Sequence, residues 1–290
     1  MLIIFNPTAG RARRTRLAAA LRVLRAGGAA VELAETLAPG HAARIAADAA
    51  ARGAALVVAA GGDGTIAEVA GGIAGSRTNL GLLPLGTANV LAHELGVPIR
   101  PEPAARLLLS GRAVPIFPGL ARYADGSTRL FVQMLGAGFD AAVVHALRPE
   151  EKRRLGKGAY VMESARQMRR YAFPRISVAL DGAIPRDAAS VIIGKGRFYA
   201  GRFRALPGAS PLAPGFSVLV FRHGGVVGAM LAGAALPLHL LHRVPGASLH
   251  RASVVALEGG DIPAQADGDA AGQLPLRVED APHPIRVMLP

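Results

Sequence analysis

The sequence predicts an α/β domain followed by a β-rich domain, and three observations carry that prediction. The first 118 residues alternate short apolar runs with Ala- and Arg-rich stretches of helical spacing, the pattern of parallel strands joined by helices. Beyond Pro115-Ile116-Phe117-Pro118 the pattern becomes period-two strands separated by Gly, Pro and Asp turns. A chain of 290 residues also exceeds the comfortable size of a single core. The expected domains are therefore residues 1–118 and 119–282, with a terminal strand at about 283–290.

The opening Met1-Leu2-Ile3-Ile4-Phe5 lacks a charged leader and a cleavage site and runs straight into Asn6-Pro7. It is expected to be the first strand, at the start of the mature chain, rather than a signal peptide. Helices are expected at 11–26 and 40–52, where apolar residues recur every three or four positions and Gly27-Gly28 and Gly53 supply stops. Strands are expected at 30–34, 55–60 and 80–83, with a helix at 66–74. In the second half the expected strands are 130–135, 176–180, 190–193, 216–221 and 253–257. One amphipathic helix interrupts them, with Val161, Ala165, Met168 and Ala172 on one face and Arg166, Arg169 and Arg170 on another. The apolar stretch 226–241 is broken by Gly228, Gly233, Pro237 and His239. It is shorter than the roughly 20 residues of a spanning helix, so a buried or interfacial helix is expected. The last apolar run, 285–289, is a strand whose sheet the pattern does not name.

With 33 Lys and Arg against 20 Asp and Glu, the net charge of +13 points to an anionic partner: nucleic acid, a phosphorylated ligand or an acidic membrane. Trp is absent, and no basic stretch is interleaved with stacking residues, which argues against nucleic acid. There is no Cys, hence no disulfide framework and no thiolate chemistry, which fits a reducing cytosol.

The chemistry concentrates in short loops. Gly61-Gly62-Asp63-Gly64-Thr65 sits directly after an expected buried strand and before a helix. Closely spaced glycines admit a phosphate chain to the backbone, and a helix start offers it N–H groups. Asp63 would orient the loop, handle a nucleotide hydroxyl or reach a Mg²⁺. A tight strand-to-helix turn is the plainer alternative. A second turn, Leu83-Pro84-Leu85-Gly86-Thr87-Ala88-Asn89, follows the next strand. A third loop, Asn6-Pro7-Thr8-Ala9-Gly10, follows the first and is trailed by Arg11, Arg13, Arg14 and Arg16. All three would lie at the carboxyl ends of parallel strands, where open α/β sheets bind ligands. Near the end, Asp267-Gly268-Asp269 offers two carboxylates that a strand would set on one face. It equally fits a glycine-centred hairpin turn. The eight histidines are scattered and suggest no metal cluster, and there is no Walker lysine loop or nucleophile elbow.

These residues carry a resemblance. Asn6-Pro7-Thr8-Ala9-Gly10, Gly61-Gly62-Asp63-Gly64-Thr65, Pro84-Leu85-Gly86-Thr87-Ala88-Asn89 and Gln265-Ala266-Asp267-Gly268-Asp269 are similar, in order and spacing, to the bacterial diacylglycerol kinases and related sphingosine and ceramide kinases. The Gly-Gly-Asp-Gly-Thr element alone is shared with NAD kinases and, loosely, phosphofructokinases. The resemblance implies an N-terminal nucleotide-binding α/β domain of NAD kinase and diacylglycerol kinase type, a C-terminal β-sandwich, and a terminal strand that returns to the first domain. Catalysis is implied in the cleft between them. It implies ATP contacts at Asn6, Pro7, Thr8, Ala9, Gly10, Thr36, Gly62, Asp63, Gly64, Thr65, Ile66, Ala67, Glu68 and Thr87. It also implies a base at Asp267 or Asp269, with Asp63 in a catalytic role, Mg²⁺ beside ATP, and lipid head-group ordering by Asp140. A carboxylate beside the acceptor alcohol is what such a transfer requires.

Three departures are visible. The family pattern ends Asp-Gly-Glu, whereas Asp269 is one methylene shorter. Asn89 is followed by Val90, the kind of apolar residue sphingosine kinases place there, rather than by Asp. Where the family places the acid of a structural metal, this chain has Leu212-Ala213-Pro214-Gly215, so that metal is not expected. The implied function is ATP-dependent phosphorylation of a diacylglycerol-like or sphingoid-like lipid within lipid metabolism. The alternatives are an NAD kinase-like phosphotransferase and a non-catalytic nucleotide- or lipid-binding relative. The partners that follow are a lipid substrate, an anionic membrane surface bound peripherally from the cytoplasm, and no nucleic acid; a homodimer is compatible with this reading. The membrane expectation rests on eight basic residues against the single acid Glu163 between 152 and 175, and on Lys195, Arg197, Arg202 and Arg204.

Overall fold

Four consecutive apolar residues, Leu2–Phe5 (β1), are all buried, as a strand in the middle of a parallel sheet must be. The computed structural model describes residues 1–7, 11–148, 150–151 and 155–290. In it β1 pairs in parallel with Glu32–Glu35 (β2) and Leu56–Gly61 (β3), and β3 with Asn79–Pro84 (β4). Beyond β4 the terminal strand Ile285–Leu289 pairs in parallel, and it pairs antiparallel with Arg112–Ile116 (β5) at the far edge. Arg11–Ala26 (α1) and Pro101–Ser110 (α5) cover one face, where Leu17, Leu24, Ala104 and Leu108 meet Ile3, Phe5, Val58 and Leu83. His41–Ala51 (α2) and Asp63–Ile73 (α3) pack on one another and on β1 and β3. Val90–Glu94 (α4) is a single short helix after β4. These elements form one unit, Met1–Phe117 with Pro282–Pro290.

The helix expected at 66–74 begins three residues earlier, at Asp63. Only Gly62 separates β3 from the helix, and Asp-Gly-Thr serves as the first helical turn. The second strand starts at Glu32, because pairing with β1 begins at Leu2 opposite Glu32.

The second unit, Pro118–Ala281, is antiparallel. Its strands in chain order begin with Gly119–Tyr123 (β6), Thr128–Phe131 (β7), Met134–Gly138 (β8), Ile176–Leu180 (β9), Arg186–Ala188 (β10) and Ser190–Gly194 (β11). Two short strands follow, Phe198–Tyr199 (β12) and Phe203–Arg204 (β13), then Phe216–Phe221 (β14), Ala247–Ala252 (β15), Val255–Glu258 (β16), Pro263–Ala266 (β17), Asp269–Gln273 (β18) and Leu276–Asp280 (β19). One sheet runs β10-β9-β16-β19-β6-β7 and the other β15-β14-β11-β8-β17-β18. Their inner faces share one core, with Phe131, Val178, Leu257 and Val278 from the first and Leu135, Val191, Val218 and Ala264 from the second. This is a β-sandwich. The described residues of this unit also include the helices Phe139–Ala146 (α6), Lys157–Met168 (α7) and Val226–Ala235 (α8).

Here three expectations are corrected. The single strand at 130–135 is two strands, β7 and β8, in different sheets, broken at Val132-Gln133. The strand expected from 253 starts at Val255, because the N–H groups of Ser253 and Val254 are held by Asp181 Oδ1 at 2.9 and 2.8 Å. In α7 the expected apolar face is not the buried one: Val161 is 73% exposed and Ala165 is exposed, Met168 is half-buried, and Ala159 and Glu163 are buried. Glu163 turns inward because Gln167 and Arg166 donate to its carboxylate at 2.8 and 3.1 Å. Ala172 lies beyond the end of the helix.

Candidate active site

In the first unit, the loops after β1, β3 and β4 leave the same edge of the parallel sheet and are tied together. Asn6 Nδ2 donates to Thr65 Oγ1 at 3.1 Å, and the N–H groups of Leu85 and Gly86 donate to the Gly61 carbonyl at 2.8 and 3.1 Å. Asn89 closes the second turn, accepting the Gly86 N–H on Oδ1 and donating Nδ2 to the Gly86 carbonyl, each at 2.9 Å. It does so in a left-handed conformation, φ 47°, which Asn tolerates better than most residues. The glycines serve closeness rather than unusual dihedrals. A Cβ on Gly61 would lie 2.5 Å from Thr65 Oγ1, and one on Gly86 2.5 Å from the Gly62 Cα. Two bare backbone turns therefore touch.

Asp63 opens α3, but its carboxylate turns to the start of α4. Oδ1 accepts the Leu91 N–H at 3.3 Å. Burial pushes its carboxyl above the ordinary value, while the N–H groups of Leu91, Val90, Asp63 itself and Asn89 pull it back. Of the three roles considered from sequence, this geometry supports orienting the loops. Glu68 acts similarly on α2, accepting the N–H groups of Gly40 at 2.9 Å and Ala42 at 3.1 Å, so its carboxylate is spent on a helix start. Ile66 and Ala67 are buried in the core and present no side chain to a ligand. Thr36 is buried with its N–H on the Phe5 carbonyl at 2.9 Å. Thr87 is exposed and Pro7 partly so, and Gly64 lies in the first turn of α3, whose leading N–H groups have no partner within a helix. Thr8, Ala9 and Gly10 lie outside the described residues.

Sequence reasoning left the arginines after the first loop unassigned. Arg14 pairs with Glu35 at 2.7 Å. Arg16 donates to the carbonyls of Pro84 and Ile99, both at 2.8 Å, and so fastens the second turn. Arg13 is held below its ordinary pKa by burial and by the charge of Arg16. The available signal was the clustering of Arg13, Arg14 and Arg16 at the start of α1.

In the second unit, Asp267 and Gly268 form a two-residue hairpin turn between β17 and β18, with φ 51° and 85°, and Asp269 is the first residue of β18. Of the two readings of Asp-Gly-Asp, the glycine-centred hairpin turn is the one found, as an Asp-Gly pair signals, and the two acids do not share the face of one strand. The Asp267 carboxylate accepts the N–H groups of Val132, Gln133 and Met134 at 2.8, 2.9 and 2.9 Å. Asp267 is thus what breaks 130–135 into two strands, and both of its carboxylate oxygens are engaged. Asp269 opens β18 and is partly exposed.

Behind the turn stands buried Gln265, which accepts the Gly268 N–H at 2.9 Å and donates Nε2 to Asp140 Oδ2 at 3.2 Å. Asp140, in the first turn of α6, therefore reaches the acidic turn through Gln265. A Cβ on Gly136 would collide with the Asp140 carboxylate. Burial pushes the Asp140 carboxyl up from 3.8 to about 6, against hydrogen bonds from Gln265, Ala141, its own N–H and Ser190. The Tyr171 hydroxyl is raised to about 12, by burial and then by Asp140.

A carboxyl raised on folding binds its proton more tightly in the folded chain. Its contribution to stability is present below pH 4 or so and lost as pH rises through about 6, on the order of 3 kcal/mol. Asp140→Asn cannot ionise, so its melting temperature relative to the parent is expected to rise between about pH 4 and pH 8. A difference that does not change with pH would contradict the buried, titrating carboxyl.

Residues 1–121 match the family described as the diacylglycerol kinase catalytic domain, and 133–289 the YegS C-terminal NAD kinase beta sandwich-like domain. The "Probable lipid kinase YegS-like" protein of Pseudomonas aeruginosa is 31% identical over 304 aligned residues, spanning 100% of this chain and 94% of that protein. The chain belongs to the YegS and diacylglycerol kinase family of lipid kinases. Among other relatives of this lipid kinase, a YegS-like protein of Cronobacter sakazakii is 37% identical over 198 residues, 67% of this chain but just under two thirds, 65%, of that protein. The diacylglycerol kinase of Bacillus subtilis is 27% identical over 99% of this chain and 95% of its own. A crystal structure of a Bacillus anthracis diacylglycerol kinase superposes with a TM-score of 0.76 at 22% identity, covering 100% of this chain and 96% of that one; at that identity the likeness shows the fold alone. The lipid kinase is ATP-dependent, as its family is, and an NAD kinase-like activity is not favoured.

Proposed function

We propose that this lipid kinase moves the terminal phosphoryl group of ATP to a hydroxyl of a diacylglycerol-like or sphingoid-like lipid. Residues 1–118 with the terminal strand would hold the nucleotide, and 119–282 the lipid. The observation that carries the first half is the meeting of Asn6 with two glycine turns, at Gly61-Gly62 and at Gly86, at one sheet edge, where backbone and a helix start would face a nucleotide with few intervening side chains. For the second half, Asp269 is the proposed base, because Asp267 is committed to three N–H groups. The acceptor oxygen forms its bond to the γ-phosphorus as the bond to the ADP oxygen breaks, and the hydroxyl proton passes to Asp269.

Mg²⁺ bound beside ATP would neutralise charge on the phosphates. It needs only one or two protein carboxylates, which fits a described set of residues in which no three acidic or histidine side chains cluster. Radiolabelled ATP incubated with a total lipid extract should label lipid, and NAD should stay unlabelled. ATP binding without transfer to any lipid would instead select the non-catalytic relative.

The peripheral membrane proposal shifts its residues. Lys195 is removed from the docking surface because it is fully buried, and Arg166 is paired with Glu151 and Glu163. Lys152, Arg153 and Arg154 lie outside the described residues. What supports docking is α8, which has no buried residue and exposes Val227 by 72% and Met230 by 59%. This disfavours the buried alternative for 226–235, whereas Leu241 at the end of the apolar stretch is buried. Exposed Arg222 and Arg243 lie at either end of this stretch, and the Arg204 N–H donates to His239 Nδ1 at 2.9 Å. No described helix is long and apolar enough to cross a membrane, so α8 would lie in the interface. Each nearby basic residue adds on the order of 1 kcal/mol toward anionic lipid, less at high salt. Val227→Glu with Met230→Glu is expected to cut co-sedimentation with phosphatidylglycerol vesicles severalfold without changing ATP affinity. Unchanged, salt-insensitive binding to neutral and anionic vesicles alike would refute the docking surface.

A further inference from the structure

Lys195 directly follows β11 and is completely buried, a rare state for a lysine unless it is paired. Its Nζ lies 2.5 Å from Asp280 Oδ1, 2.8 Å from the Gly215 carbonyl oxygen and 3.3 Å from that of Ala213. The other Asp280 oxygen accepts the Gly215 N–H at 2.7 Å. The Phe216 ring closes another side, with its centroid 4.6 Å from Nζ. Oxygens from two stretches of chain far apart in sequence thus converge on one positive point. A carboxylate joined by main-chain carbonyls is the donor set proteins use for hard cations.

We propose that this is a cation site whose resident is the Lys195 ammonium, a tethered charge standing where the same oxygens would otherwise hold a bound metal ion. The ammonium fastens the 205–215 segment to the end of β19 without a free ion. Deleting it leaves an oxygen cage with room for water, and that combination suits Ca²⁺, which accepts six to eight oxygens in flexible geometry. Mg²⁺ demands a near-ideal octahedron and fits less well.

The test is thermal unfolding of the full chain, which reads the site apart from any Mg²⁺ needed for turnover. The parent should melt at the same temperature in EDTA and in CaCl2. Lys195→Ala should melt lower in EDTA and regain on the order of 5–10 °C at a hundredfold excess of Ca²⁺ over its dissociation constant. Calorimetric titration should show that variant binding Ca²⁺, and adding Asp280→Asn should remove both responses. Lys195→Met refills the space without charge and should be less stable than the parent and indifferent to Ca²⁺. If Lys195→Ala is insoluble, refolding with and without Ca²⁺ supplies the same reading. Recovery only with Ca²⁺ supports the site, and failure in both overturns it. No Ca²⁺ response in soluble Lys195→Ala, or a Lys195→Met as stable as the parent, would likewise overturn it.

Discussion

Asp269→Asn is expected to slow lipid phosphorylation by about 10²–10⁴-fold, the usual cost of losing a positioned general base, with melting temperature and ATP affinity little changed. Asp267→Asn is expected to fail differently. An amide in place of the carboxylate that receives Val132, Gln133 and Met134 loses charge-assisted bonds and turns a donor toward donors, on the order of 3 kcal/mol of stability. Its slow turnover should come with a lowered melting temperature. Measuring both quantities on both variants separates the base from the residue that shapes its turn. Near-normal kcat in Asp269→Asn would transfer the role elsewhere. Asp269→Glu should keep activity or raise it, because the added methylene extends the reach of the acid.

Asp63→Asn is expected to lower turnover by about 10²-fold or more, the scale on which an ångström of misplacement acts, in a protein that remains folded. The carboxylate is the hub on which the N–H groups of Asn89, Val90 and Leu91 converge, so the loss should travel through the second turn and its exposed Thr87. A rise in KM for ATP should accompany the fall in kcat. Wild-type kinetics in this variant would show that the loops hold their shape without Asp63.

Much of the architecture is legible in sequence wherever one segment decides its own fate. The apolar runs of β1, β9, β14 and the terminal strand, and the periodic stretch of α1, have the bounds their patterns suggest. The misreadings fall where a distant group intervenes. Asp267 splits 130–135 from more than 130 residues away, Asp181 delays β16, and Asp280 draws Lys195 out of a run that reads as surface charge. The same distance hid the tasks of Asp63 and Glu68. Their acidity in a glycine-rich loop suggests ligand chemistry, yet both carboxylates are aimed at helix starts formed by other segments.

The placement of Ile285–Leu289 between β4 and β5 bears on how the protein is made. A ribosome delivers every other strand of that sheet long before this one, with the whole β-sandwich emerging in between. Until residues 285–289 leave the exit tunnel, β4 and β5 lack the strand that joins them, and the unpaired side of β4 is open to a neighbouring nascent chain. Stop codons or frameshifts that remove this strand should therefore act as lesions of the first unit, leaving an open sheet that quality control must bind or destroy.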